Sequence, residues 1–141
     1  MTETSVGPDI SGLDIPEDAW TRPFWTATRD HRLAFPRCGA CGTFRWPPGP
    51  FCPACHAQEV DWADSGLGWI FSFTIVRAKP ARDDAPPDTR VPALIEFPEA
   101  GGLRLLGALV DAPIDRIEIG MAVAPVWVEA SNATVPMFRL V

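Results

Sequence analysis

Residues 38–56 read CGACGTFRWPPGPFCPACH, two Cys-x-x-Cys pairs separated by ten residues. Each pair can turn a tight knuckle that aims two thiolates at one point, and four sulfurs so placed select a tetrahedral ion. Cys38, Cys41, Cys52 and Cys55 are the only cysteines of the chain, so one site uses the whole set. Paired cysteines without an export signal point to metal rather than to disulfides. Structural zinc is the expected cofactor, with iron in a rubredoxin-like site and disulfides or free thiols as the alternatives. The interval Thr-Phe-Arg-Trp-Pro-Pro-Gly-Pro, rich in proline and aromatics, suits a short ribbon hairpin better than a redox helix. Zinc held by four thiolates keeps no open position, so the site can stiffen a structure but cannot act as a Lewis acid.

Cys52 to His56 also spells the covalent haem attachment pattern. That reading leaves Cys38 and Cys41 without a role. His56 instead takes the place after the second knuckle that Gly42 takes after the first, and His tolerates a left-handed backbone better than most residues.

On the N-terminal side, residues 1–15 are polar, contain Gly7, Pro8 and Gly12, and show no period, which predicts a flexible tail. Residues 16–36 form a helical arm. Phe24, Ala27, Thr28 and His31 fall at helical spacing, and Pro23 is allowed in a first turn, so a helix is expected near residues 22–32. The aromatics Trp20, Phe24 and Trp25 need apolar cover, either from their own domain or from a partner.

On the C-terminal side, residues 37–62 make the ribbon and residues 63–141 a second unit. In Trp69-Ile-Phe-Ser-Phe-Thr-Ile-Val, Trp69, Phe71, Phe73 and Ile75 are expected to share one face of a half-buried strand, with Ser72 and Thr74 on the other. Further strands are expected at residues 91–97, 103–110, 123–129 and 135–140, with one or two helical turns over 113–120. Five short strands with a small helix between the third and fourth match the order of an OB-type barrel. The segment 78–90, with three prolines and three aspartates, is expected to be a long loop. The fold class is therefore mainly β: an N-terminal helix, a zinc ribbon, then a five-stranded OB-fold barrel.

The 141 residues suit one domain with a small appendage, and 47% hydrophobic residues supply a core. No run of apolar residues reaches the roughly 18 needed to span a bilayer, and the opening has neither a basic start nor an apolar stretch. The expectation is a soluble cytoplasmic protein without membrane contact. A formal charge of −6 repels polyphosphate, which disfavours nucleic acid as a partner; single-stranded nucleic-acid binding stays as an alternative, since OB barrels and zinc ribbons are often used that way. Two histidines, no Gly-x-Ser-x-Gly elbow and no phosphate-cradling glycine loop leave no self-contained catalytic set. Glu96 and Asp111 are acid or base candidates by type alone, and their solvated reading is the better one.

From Trp20 to Phe138 the chain resembles the DUF35 family. The likeness is carried by FWTATRDHRLAFPRC, the ribbon, the junction SGLGWIFSFTIV, the strand VPALIEFP, the segment GLRLLGALVDAPIDRIEIGMAV and the closing PMFRL, with His56 where members often carry Gly. The resemblance implies a rubredoxin-like zinc ribbon joined to an OB fold. It also implies a noncatalytic accessory subunit, in a hetero-oligomer with a thiolase-fold or lipid-transfer-protein-like enzyme of acyl-CoA metabolism. An alternative within it is one subunit of a composite retro-aldolase or acyltransferase, as in steroid side-chain degradation. Coenzyme A needs cations beside an apolar groove. Arg77, Lys79, Arg82 and Arg90 are the cations nearest the first barrel strand and the long loop, of which Arg77, Lys79 and Arg90 are the candidates, and Trp46 and Trp69 could line the groove. Trp20, Phe24 and Trp25 become the candidates for docking the partner.

Overall fold

The structure is a computed structural model that describes residues 3–80, 82–85 and 88–141. Helix α1 spans Arg22–Arg29. Its entry is a turn in which the Asp18 carboxylate accepts the N–H groups of Trp20 and Thr21. It stops before residue 32 because His31 turns left-handed at φ 56°, and the N–H groups of His31 and Arg32 reach back to the carbonyls of Thr28 and Ala27. This double return is the glycine-type helix ending, here carried by histidine. The His31 ring then stacks on Trp127, 5.3 Å between centroids.

Strand β1 (Ala34–Cys38) pairs antiparallel with β2 (Val60–Asp64), which brackets the cysteine loops and closes the ribbon. The second unit contains β3 (Gly68–Phe73), a short β4 (Val76–Ala78), β5 (Asp88–Phe97), β6 (Leu103–Leu109), β7 (Ala122–Glu129) and β8 (Thr134–Leu140). The pairings run β3-β5-β6-β8-β7 and return from β7 to β3, so the sheet closes on itself as the expected five-stranded OB barrel. A single turn at Ile114–Arg116 occupies the place of the small helix between the third and fourth barrel strands. β4 is an additional strand that lies against the start of β5 and shortens the expected 78–90 loop. The part of that loop expectation resting on Ala81, Pro86 and Pro87 lies outside the described residues.

Along β5 every second side chain, Thr89, Val91, Ala93, Ile95 and Phe97, is buried, as the two-residue period of a strand demands. The four apolar ones meet Ile70, Leu105, Leu109, Val123 and Phe138 in the barrel interior. Gly107 makes room there: a Cβ at its position would stand 2.7 Å from the Phe138 ring. The core does not end at the barrel. Phe35 of β1 is fully buried, with its ring 5.0 Å from Phe97, 5.1 Å from Trp46 and 6.4 Å from Phe24. One aromatic cluster thus joins helix, ribbon and barrel.

Two expectations need correction. Strand β3 does not bury Trp69 and Phe71; both are outside, while Ile70 is 1% exposed. The register against β5 slips between Ile70 and Ser72, a bulge that turns the alternation over and brings Phe73 and Ile75 half-way into the core. Outside, the Arg104 guanidinium covers the Phe71 ring at 3.5 Å. The N-terminal segment, expected to be a flexible tail, is strapped over the barrel from residue 3 onward. Ser5 N–H donates to Ala112 O and Val6 N–H to Thr89 O, both at 2.9 Å. Ile10 is buried beside Val110 and Met137, and the Asn132 amide exchanges hydrogen bonds with the Ile15 backbone at 2.7 and 2.9 Å. No helix among the described residues is long and apolar enough to cross a membrane.

Candidate metal centre and the grooves beside it

The two Cys-x-x-Cys pairs form matching knuckles. In the first, Cys38 Sγ accepts N–H groups from Ala40 and Cys41 at 3.4 Å, and Gly42 N–H returns to Cys38 O. In the second, Cys52 Sγ accepts the Ala54 N–H at 3.4 Å, and His56 N–H returns to Cys52 O. Gly42 at φ 80° and His56 at φ 65° occupy equivalent left-handed positions, so histidine performs the glycine's backbone role.

The knuckles bring all four Sγ atoms within 4.8 Å of one another, with Cys38 to Cys55 at 3.6 Å and Cys41 to Cys52 at 3.5 Å. Sulfurs at the corners of a tetrahedron with about 2.3 Å bonds to zinc would lie about 3.8 Å apart, so the donor set fits one ion. Protonation follows the same logic. The Cys41 and Ala40 N–H groups hold the Cys38 thiol below its ordinary value. The Thr43 side chain does the same for Cys41, and the Cys55 N–H for Cys52. The Ala57 N–H draws Cys55 down as well, but the other three sulfurs outweigh it and push that thiol up to about 12. Four thiolates cannot share this space alone; a cation among them removes the conflict.

A groove of about 810 Å³ lies between the ribbon and the barrel, lined by Phe44, Arg45, Trp46 and Phe51 on one side and by Leu103 and Arg104 on the other. A smaller apolar groove of about 280 Å³ runs between α1 and the barrel, bounded by Trp25, Trp46, Pro47, Leu106 and Pro136. Trp46 borders both.

The ligand residues expected from the sequence are not gathered in either groove, Trp46 excepted. Arg77 pairs with Glu3 at 3.3 Å and Arg90 with Asp88 at 2.9 Å, while Lys79 is exposed. Trp69 stands on the outer face of β3. Glu96 is engaged with Arg104 at 3.1 Å, and Asp111 is exposed at the left-handed end of β6, φ 54°. Among the aromatics expected to dock a partner, Phe24 is 5% exposed and packs between Trp25, Phe35 and Trp46, so it anchors α1 to its own chain. Trp25 is half-buried and Trp20 is 51% exposed. Sequence reasoning missed Arg45, which is buried inside the cysteine interval, and Leu106, 69% exposed on the barrel. A lone Arg between Phe and Trp carries no signal of burial. The period-two pattern of β6 could have marked Leu106 as outward.

A four-thiolate ribbon whose aromatic core runs into a five-stranded OB barrel defines a class, the metal-ribbon OB-fold proteins. Within it the chain belongs to the DUF35 family of ChsH2-type proteins. Residues 25–61 match the ChsH2 rubredoxin-like zinc ribbon domain and residues 64–128 the ChsH2 C-terminal OB-fold domain. The solved structure described as the Ltp2-ChsH2(DUF35) aldolase shares 36% identity, covers 90% of this chain and 98% of that one, and superposes with a TM-score of 0.76. A DUF35 protein of unknown function from Sulfolobus solfataricus, 16% identical over 87% of this chain and 86% of its own, shares the fold at a TM-score of 0.63. Among curated proteins, the probable enoyl-CoA hydratase alpha subunit of Thermomonospora curvata is 40% identical over 119 residues. The 3-oxo-4,17-pregnadiene-20-carboxyl-CoA hydratase alpha subunit of Mycobacterium tuberculosis is 32% identical over 128 residues. Each match takes in 82% of this chain but only 36% and 39% of those proteins, so the chain spans little more than a third of their length.

Proposed function

We propose that this chain is a noncatalytic accessory subunit that holds structural zinc, docks on a thiolase-fold enzyme and supports the binding of an acyl-CoA substrate. The observation that carries the reading is the solved relative of nearly the same extent, 36% identical and described as part of an Ltp2-ChsH2 aldolase. The chemistry agrees with it. Four thiolates close the metal to substrate. The two grooves that meet at Trp46 offer the apolar and aromatic walls that a pantetheine arm needs, with Arg104 at the rim. In this reading Arg104 is the cation nearest the grooves, engaged with Glu96 as Arg77 and Arg90 are with Glu3 and Asp88, while Lys79 is exposed.

The test is co-expression with a thiolase-fold protein encoded beside it, followed by sedimentation. A stable complex that turns over an acyl-CoA, with neither chain active alone, is expected; a chain that stays monomeric with every such neighbour overturns the proposal. A second reading, that the chain lends side chains to a composite retro-aldol site, is favoured by the word aldolase in that relative's description. It separates kinetically: Arg104→Ala would then lower kcat within an intact complex, whereas a purely supporting role moves KM alone.

A further inference from the structure

Arg45 is a buried cation for which no carboxylate among the described residues comes within ion-pair distance. The residue is 5% exposed, its Nη1 and Nη2 donate to Ala57 O and Gln58 O at 3.4 Å, and its Nε is buried without a partner among the described residues. Two long hydrogen bonds to neutral carbonyls do not offset the cost of taking a guanidinium out of water, so an opposite charge has to answer it. The second knuckle is next to it. Ala57 O, which accepts from Arg45, also accepts the Cys52 N–H at 2.9 Å, and Gln58 lies three residues after Cys55. On the other side the Arg45 N–H donates to Pro36 O at 3.0 Å, two residues before Cys38 in β1, so the residue is fixed between both halves of the site. Four thiolates around one divalent ion carry a net charge of about −2.

We propose that Arg45 is the internal counter-charge of the loaded metal site. Its positive charge, clamped on the loop that follows Cys55, offsets the excess negative charge of the tetrathiolate and slows loss of the ion. The second knuckle is held by charge as well as by its backbone turns, and the buried guanidinium finds there the partner it lacks among the side chains.

The experiment uses the full chain with Arg45→Met, Arg45→Gln and Arg45→Lys, and follows zinc release to an excess of a chromogenic chelator. It also measures the reduction potential of the same chains loaded with iron. Arg45→Met and Arg45→Gln are expected to release zinc about tenfold faster, while Arg45→Lys stays near the parent chain. The potential of the iron-loaded form should fall in the two neutral variants and hold in the lysine variant, because losing a nearby positive charge disfavours the more negative reduced site. Gln keeps a donor for the carbonyls without the charge, which separates charge from hydrogen bonding. A lysine variant that behaves like the neutral pair overturns the proposal, as does a glutamine variant indistinguishable from the parent. Should the neutral variants fail to load metal, loading of Arg45→Lys supports the proposal, and failure of all three sinks it.

Discussion

The ribbon and the barrel are comparable in being small and rich in loops, yet they are held together in opposite ways. Between Arg37 and Val60 only Cys38, Arg45 and Cys52 are buried, two metal ligands and a cation. From Gly68 to Leu140 the buried set among the described residues is mainly aliphatic and aromatic, with Thr89 and Thr134 as its polar members, across five closed strands. A unit the size of the ribbon has too little apolar surface to order itself, and small units below about 40 residues commonly rely on metal for that reason. The barrel has no such need. The contrast shows one chain using ligation where burial is unavailable and burial where it is plentiful, with Phe35 as the residue that belongs to both.

The sharpest way to break that contrast is to remove the ion. Cys38→Ser, or a strong chelator, should abolish stoichiometric metal by elemental analysis and free the amides of Cys38 and Cys52, whose N–H groups now bond to Thr43 O and Ala57 O. Apparent binding energies of structural zinc sites run to about 10–16 kcal/mol, so the ribbon should open altogether. The Ile95 and Leu105 amides should stay protected from exchange. A barrel that melts together with the ribbon would show that the two regions are one cooperative unit. A smaller effect sharpens the same point from the other side. Phe35→Ala removes the ring shared with Phe24, Trp46 and Phe97 and should cost about 3–5 kcal/mol of global stability, read from denaturant midpoints. A loss below about 1 kcal/mol would mean that the aromatic cluster is contact without coupling.

The two regions also differed in how far they could be read in advance. The knuckles were legible because ligand spacing is a local property: Cys-x-x-Cys and the left-handed residue after it are all within one turn, and His56 could be placed by analogy with Gly42. The order of the barrel strands was legible for the same reason, each strand carrying its own period. What depended on a distant partner was hidden. The bulge in β3 is set by its register against β5, so the alternation of Trp69 to Ile75 pointed to the wrong face up to Phe71. The strap at residues 3–15 bonds through isolated backbone positions, Thr4 opposite Pro113 and Leu13 O to Ser131 N–H, which leave no periodic trace. Phe24 looked like a docking residue because nothing near it in sequence announces Phe35 and Trp46. The candidate cations Arg77 and Arg90 pair with Glu3 and Asp88, and the first of these acids lies in the strap that composition alone had read as loose.

That strap provides the smallest and most specific test. Glu3 accepts from the Thr89 hydroxyl and from Arg77, and these contacts, the Thr89 bond first, hold its carboxyl below the ordinary value of 4.5. A carboxylate depressed in the folded state contributes fully above its unfolded pKa and loses that contribution as pH falls through the folded one. The strap should therefore be tightest above about pH 5 and loosen at its Glu3 end in more acid solution. Amide exchange at Ser5 and Val6, corrected for the intrinsic rate, is the measurement. Glu3→Gln should exchange faster at neutral pH and show little further change on acidification, while Asn132→Ala should free the Ile15 end at every pH, since no titrating group holds it. Other carboxylates protonate over the same range, so the difference between the parent chain and Glu3→Gln isolates the strap. Identical pH profiles for those two chains would show that the contact at Glu3 carries no energy, and that the segment is held by Ile10 and the backbone bonds alone.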